Sequence, residues 1–278
     1  MTFCALSEAK GMDIIMTKVI DIAKEIEKFA PKFLMEDYDN VGLMVGDENK
    51  KIKKVLLALD CTNEVIKEAI SFNYDLIITH HPLLFKSPKN IIKGDLIGNK
   101  VITLVKEDIA LYSCHTNLDS AKNGINQTIV NMLGFNSSQI IEPNESGKYK
   151  DGGLGRLVRL EKEILLCDVI KLVKENLNIE NMRVVRGCEK VKILAIINGS
   201  GQDLFYKAKS LGADCIITGD TTYHFASDFK EMKISIIDAG HFSTEYLVFL
   251  KTLEFLKEKF IEIEFSASEK CKDPYDFV

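Results

Sequence analysis

The sequence predicts an α/β protein of two similar lobes, related by internal duplication, with a dinuclear metal site between them. Three observations predict it. Short unbroken apolar runs alternate with amphipathic stretches, the pattern of parallel strands covered by helices on both faces. The run Val55–Leu59, a helical stretch over 63–72 and the run Leu76–Thr79 come again as Ile193–Asn198, 202–211 and Cys215–Thr218. The five histidines (80, 81, 115, 224 and 241) fall near the ends of such runs, and two of them precede a carboxylate by four residues: His115 with Asp119, and His241 with Glu245.

Each element has its own signal. Apolar residues at 19, 22, 23, 26 and 29 give a helix over 17–30 that Pro31 closes. A polar turn, Glu36 to Gly42, leads into Leu43–Gly46. The strands Val55–Leu59 and Leu76–Thr79 with the helix between them form a strand–helix–strand unit. A helix over about 94–106, the strand Ala110–Ser113 and a helix from Gly124 to Leu133 complete a first lobe, 17–135. From 136 to 160 the pattern dissolves into Asn, Ser, Gly and Lys, although Leu154–Leu160 has strand character; 136–190 is read as a connection carrying part of the second lobe. The second lobe proper spans 191–278, and the charged run Lys251–Glu264 is the solvated face of a helix and the strand after it. Residues 1–16 are set aside as an N-terminal extension, because Met12 and Met16 offer alternative starts.

Composition narrows the function. A chain of 278 residues with 46% hydrophobic and 28% charged residues is ordinary for a globular protein. A net charge of −5 without a basic stripe argues against a nucleic-acid surface. No apolar run reaches the roughly 18–20 residues of a membrane span, and no signal peptide opens the chain. Seven scattered cysteines form no CxxC pair, so reduced thiols and a cytoplasmic location are expected.

The chemistry gathers at strand ends, where ligands collect in open α/β sheets. Imidazoles with carboxylates suit Zn, Mn, Fe, Co or Ni, and the lack of ligand-spaced Cys disfavours a structural zinc. Pro82 holds His81 toward extended geometry, where neighbouring side chains diverge. One ion can hardly take both His80 and His81, but two ions could each take one, with Glu245 or Asp119 bridging them. His241 and Glu245 share a helix face. Asp220 and His224 occupy the place equivalent to His80-His81 and are candidates for an orienting partner and a proton carrier. Two weaker candidates for substrate binding are the turn Gly199-Ser200-Gly201, whose glycines equally suit any tight βα turn, and Arg156 in a glycine-rich segment.

The segments Asp39-Asn40-Val41-Gly42-Leu43, Thr79-His80-His81-Pro82-Leu83, His115-Thr116-Asn117-Leu118-Asp119, Asn198-Gly199-Ser200-Gly201, Gly219-Asp220-Thr221-Thr222-Tyr223-His224 and Gly240-His241-Phe242-Ser243-Thr244-Glu245 occur in that order. Together they resemble the GTP cyclohydrolase I type 2 homolog family, also called the NGG1-interacting-factor-3-like family, over roughly 17–275 and in its short bacterial form without an inserted domain. The resemblance implies two divalent ions per chain held by His80, His81, Asp119, His241 and Glu245, with Glu245 bridging and with His115 and His224 lining the same cavity. It also implies a ring-like homohexamer. The chain departs from the family pattern at Tyr38, where Trp is usual, at Met44, where Gln is common, and at Asn198, where Gly is usual.

The expected function is therefore a metal-dependent hydrolase, opening cyclic C–N bonds of a nucleotide or similar small polar substrate, with His115 or His224 carrying protons. The alternative is a metal carrier or interaction protein without turnover.

Overall fold

The computed structural model describes residues 16–144 and 151–278, so nearly all of the N-terminal extension and part of the connecting segment lie outside the described residues. Two sheets organise the chain. The first is five-stranded, in the order β1 (Gly42–Val45), β4 (Ala110–Ser113), β3 (Leu76–Thr79), β2 (Lys54–Ala58) and β11 (Glu264–Ala267). The second is six-stranded, in the order β5 (Gln139–Pro143), β6 (Gly153–Leu165), β8 (Lys190–Ile196), β9 (Cys215–Thr218), β10 (Ser235–Asp238) and β7 (Arg183–Val185).

The two halves share one plan. In the first, α1 (Val19–Phe29) precedes β1, and β2, β3 and β4 are joined through α2 (Asn63–Ser71) and α3 (Leu96–Lys106). In the second, α6 (Leu166–Leu177) precedes β7, and β8, β9 and β10 are joined through α7 (Phe205–Ser210) and α8 (Tyr223–Glu231). Each half has three parallel strands with an antiparallel strand beside the third: β1 on β4 and β7 on β10. Beyond the third strand the halves diverge. The first continues into the short helices α4 (Thr116–Ser120) and α5 (Ile125–Met132), the second into α9 (His241–Thr252) and α10 (Phe255–Lys259).

Burial explains why the parallel strands read as continuous apolar runs. Val55, Leu57 and Ile78 face a central core that also takes Ile196, Ile217 and Ile237 from the other sheet, with α1, α5, α6 and α9 between the sheets. Leu56, Ala58, Ile77 and Leu111 point the other way, onto α2 and α3. Ala195, Ile197, Ile216 and Ile236 do the same toward α7 and α8. The result is five alternating layers sharing one central core. Cutting Leu57 or Ile78, both buried, back to Ala would cost about 2–5 kcal/mol.

Residues 136–144 and 151–160 are more ordered than their composition implies. They hold β5 and much of the 13-residue β6, an antiparallel pair extending the second sheet. The chain then ends outside its own half, with β11 pairing parallel to β2 in the first sheet. Buried Glu68 on α2 helps fix this return, accepting from the Glu269 amide at 2.9 Å and from the Ser268 hydroxyl. Among the described residues, no helix is long and apolar enough to cross a membrane, and six cysteines are free thiols.

Candidate metal centre

The carboxyl ends of β2, β3 and β4 lie level, because Ala58 pairs with Thr79 and Thr79 with Ser113. The turns beyond them carry Asp60, His80-His81 and His115. The second sheet is in the same register, with Ile196 beside Ile217 and Thr218 beside Asp238, so Asn198, Asp220 and His241 also leave at one level. Backbone bonds fix the turns: the His81 amide donates to the Leu59 carbonyl at 3.0 Å, and the Gly219 amide to the Gly199 carbonyl at 2.9 Å. The Thr79 hydroxyl donates to the His81 carbonyl at 2.8 Å, tightening the double-histidine turn.

Four imidazoles meet here, each held by Nδ1. His80 donates to the Cys114 carbonyl at 2.9 Å, His81 to Asp60 at 2.9 Å, His115 to Asp39 at 2.9 Å and His241 to Asp220 at 2.7 Å. Such anchoring fixes ring orientation and leaves each Nε2 free to meet a ligand. His81 and His241 bring their Nε2 atoms to 3.2 Å from each other and to 3.0 and 2.9 Å from one oxygen of Glu245. Tetrahedral ligands at bond lengths of about 2.05 Å stand roughly 3.3 Å apart, close to this spacing.

His80 is completely buried, and its Nε2 has no hydrogen-bond partner. It points between Asp119 Oδ1 at 3.6 Å and the other Glu245 oxygen, Oε1, at 3.8 Å. A buried imidazole nitrogen left unsatisfied between two carboxylate oxygens is costly without a cation. Two sets of side chains can thus hold an ion, His81–His241–Glu245 and His80–His81–His115, and Glu245 turns one oxygen toward His81 and His241 and the other toward His80. Asn198 completes the floor. Its amide donates to Asp119 Oδ1 at 3.0 Å and to Glu245 Oε1 at 2.9 Å, while Asn126 donates to its carbonyl at 2.7 Å.

The charges respond as a cation site would. Burial opposes protonation of His81, yet hydrogen bonds to Asp60 and Glu245 outweigh it and push its pKa up to about 10. His241 goes the same way to about 9, burial being overcome by Glu245 and Asp220. Burial also disfavours ionised Glu245, but His80, His241 and His81 around it hold its carboxyl well below the usual carboxylate range. Burial raises Asp119, with the Glu245 charge adding to it against the pull of His80. In Asp39, the bonds from His115 and Thr116 overcome burial and bring the carboxyl down to about 2.

The cluster opens into a cavity of about 240 Å³, lined among others by Tyr38, Phe85, His115, Asn126, Asn198 and Ser200. A larger groove of about 400 Å³ between α5 and the α9–α10 region shares no lining residue with the cluster.

Not every candidate converges. Ser200 and Gly201 line the cavity, but Gly199 is there for packing: at φ +55° a Cβ would stand 2.2 Å from Glu245 Oε1. Its amide donates to the Thr244 hydroxyl at 3.3 Å, so this turn supports Glu245 instead of offering an open phosphate cradle. Arg156 is a correction. It is buried, and its five N–H groups go to the carbonyls of Gly153, Gly155, Ala121 and Lys122 and to Gln127, so it ties β6 to the α4–α5 turn instead of reaching a substrate. Burial brings its pKa down to about 10. His224 is exposed at the start of α8 with its ring against Tyr223, and it lies outside the cavity of its own chain. Asp39 and Asp60, which hold His115 and His81, are absent from the candidates that the sequence supplies. Asp60 has a signal, since it too sits just past a strand end.

The fold and site define a class: a two-sheet α/β protein whose strand ends converge on a histidine–carboxylate cluster suited to metal. The model of the Duf34/NIF3 family (NGG1p interacting factor 3) matches residues 17–274, and the chain belongs to that family. The GTP cyclohydrolase 1 type 2 homolog of Clostridium perfringens is 51% identical over 263 residues, covering 94% of this chain and all of the relative. Its counterpart in Clostridium acetobutylicum is 48% identical over 266 residues, covering 94% of this chain and 98% of the relative. Among solved structures, a Staphylococcus aureus hypothetical protein superposes with TM-score 0.84 at 31% identity, over 94% of this chain and 99% of that one. Reduced HcgD from Methanocaldococcus jannaschii gives 0.78 at 32% identity, over 92% of this chain and all of that one.

Proposed function

We propose that the chain holds two divalent ions, with His80, His81, Asp119, His241 and Glu245 as ligands and Glu245 shared, and that it hydrolyses a small polar substrate with a cyclic C–N bond. The observation that carries this reading is the unsatisfied Nε2 of buried His80, aimed between Asp119 and Glu245. When bound, such ions acidify water and polarise a carbonyl or imine. The chain's own residues do the rest. Asp60 and Asp220 keep His81 and His241 in the tautomer that presents Nε2. Asn198 orients the two carboxylates. His115, on the cavity wall and bonded to Asp39, is positioned to take or return a proton.

The names of the Clostridium relatives supply GTP as the first substrate to try. The six free thiols support a reducing, cytoplasmic setting, and exposed Phe33, Ile91, Ile92 and Leu96 support a homo-oligomer such as the hexamer. A second reading, a metal carrier without turnover, gains from the exposed position of His224, which leaves His115 as the proton carrier within one chain. The test is elemental analysis followed by turnover of GTP, other nucleotides and cyclic amides, with His81→Ala as control. Two ions per chain and turnover lost in the variant are expected. Turnover that persists in the variant overturns hydrolysis of that substrate, and two ions without turnover on any compound favours the carrier.

A further inference from the structure

We propose that the cavity beside the candidate metal centre is a slot for an uncharged or cationic planar heterocycle, stacked against the Tyr38–Phe85 pair at its mouth, and that it excludes nucleoside triphosphates. The inference rests on the metal-site reading and deepens it by naming the substrate class. Tyr38 and Phe85 pack on each other at the mouth, with ring centroids 6.1 Å apart and planes tilted by 60°, and Phe85 meets the His115 ring edge-on at 6.2 Å. Tyr38 is 65% exposed and Phe85 39% exposed. Aromatic rings left half in water beside a polar cluster are poised to stack on a ring that enters. Apolar Leu154, Ile197 and Leu204 also line the cavity.

Size and charge set the class. At about 240 Å³ the cavity falls below the roughly 300–1,000 Å³ typical of drug-sized ligands, a size that suits a single ring system. Among the described residues, no Lys or Arg lines it, and the one nearby guanidinium, that of Arg156, is fully engaged with its own carbonyls and Gln127. Two divalent ions bring four positive charges, but Asp39, Asp60, Asp119, Asp220 and Glu245 bring five negative ones, so the filled centre offers a polyanion no net attraction. The acids also reach the cavity itself, where Asp119 and Glu245 are part of the lining. A triphosphate approaching this mouth meets like charge, whereas a neutral lactam or a cationic ring does not.

The chain has no tryptophan, so Tyr38→Trp places a single fluorescent reporter at the mouth. Zinc-loaded Tyr38→Trp protein, its zinc content measured, is titrated with each of the four common ribonucleosides, its triphosphate and its free base. Quenching that saturates is expected for at least one neutral ring, at least about ten-fold tighter than for its triphosphate. Adding Phe85→Ala should weaken that binding by about ten-fold with zinc content unchanged. Phe85→Leu, which keeps apolar bulk but cannot stack, should fall between them. A triphosphate that binds as tightly as its nucleoside, no quenching by any neutral ring, or affinities indifferent to Phe85→Ala would each overturn the proposal. The metal reading fails separately: protein that holds no zinc but still binds the neutral ring refutes the centre and keeps the slot, and protein with two zinc ions that binds no ring does the reverse.

Discussion

The two halves of the molecule share a scaffold and differ in what they place on it. At the end of β3 the first half carries His80-His81; at the end of β9 the second carries Gly219-Asp220. The reason is close approach. A Cβ on Gly219 would lie 2.8 Å from the His241 amide nitrogen, so the second half has no room for a counterpart of His80. The acid–histidine pairing has also moved along the sheet. In the first half an acid past β2, Asp60, holds a histidine past β3; in the second an acid past β9, Asp220, holds a histidine past β10. That shift releases Asn198, the counterpart of Asp60, to hold Asp119 and Glu245 together. One plan, displaced by a strand, lets each half supply what the other lacks.

The sharpest way to break this division is Glu245→Gln. Its carboxylate is shared by His81 and His241 from opposite halves and faces His80 with its other oxygen. The amide removes a negative charge from both candidate ion positions, so metal content should fall from the proposed two ions to fewer than one per chain by elemental analysis. Retention of one full ion would mean that the halves bind independently.

Next comes Asn198→Asp, which restores in the second half the residue type of the first. The new carboxylate would face Asp119 and Glu245 at hydrogen-bond distance with no donor left between them. An uncompensated buried charge costs about 3–5 kcal/mol. Chemical denaturation in chelator should show a loss of that order, and excess zinc should recover part of it. A variant as stable as the parent in chelator would show that Asn198 does not hold the carboxylates together.

The physics of each feature decides how legible it is in the sequence. The parallel strands β3, β4, β9 and β10 are buried along their whole length, so Leu76–Thr79 and Cys215–Thr218 announce themselves as unbroken apolar runs. β6 is buried only over its first half, so Leu154–Leu160 shows strand character in the sequence whereas the more exposed continuation to Leu165 does not. β11, Glu264-Phe-Ser-Ala, carries no apolar run, and its partner β2 lies some two hundred residues earlier. Within the site, the His-x3-acid spacing is local and readable, whereas the bond from His81 to Asp60 depends on two strand ends lying level. Arg156 misleads for a similar reason: a glycine-rich segment looks like an open loop until its carbonyls are seen to surround the guanidinium.

A finer test compares Asp60→Asn with Asp220→Asn. Each replaces the carboxylate that anchors a ligand histidine, and losing such a partner costs about 10–100-fold in metal affinity. Because His81 and His241 converge on one Glu245 oxygen, both variants should weaken the same ion, measured by competition with a chromogenic chelator. The double variant should then lose less than the product of the two single losses. Losses that multiply would assign the two acids to different ions.

The gentlest probe is pH, applied to protein stripped of metal. The folded pKa values of His81, about 10, and His241, about 9, lie above the unfolded value of about 6.5. A raised folded pKa stabilises fully below the unfolded value, and the contribution is lost as pH rises through the folded one. Metal-free protein should therefore lose thermal stability between about pH 7 and 10, as the protons holding His81 and His241 to Glu245 leave. Zinc-loaded protein should keep its stability over that range, because the ion takes the place of those protons, and its uptake at pH 7 should release them to the buffer. Parallel stability curves with and without zinc, and no proton release in calorimetry across buffers of different ionisation enthalpy, would show that the two histidines from opposite halves do not share one cation.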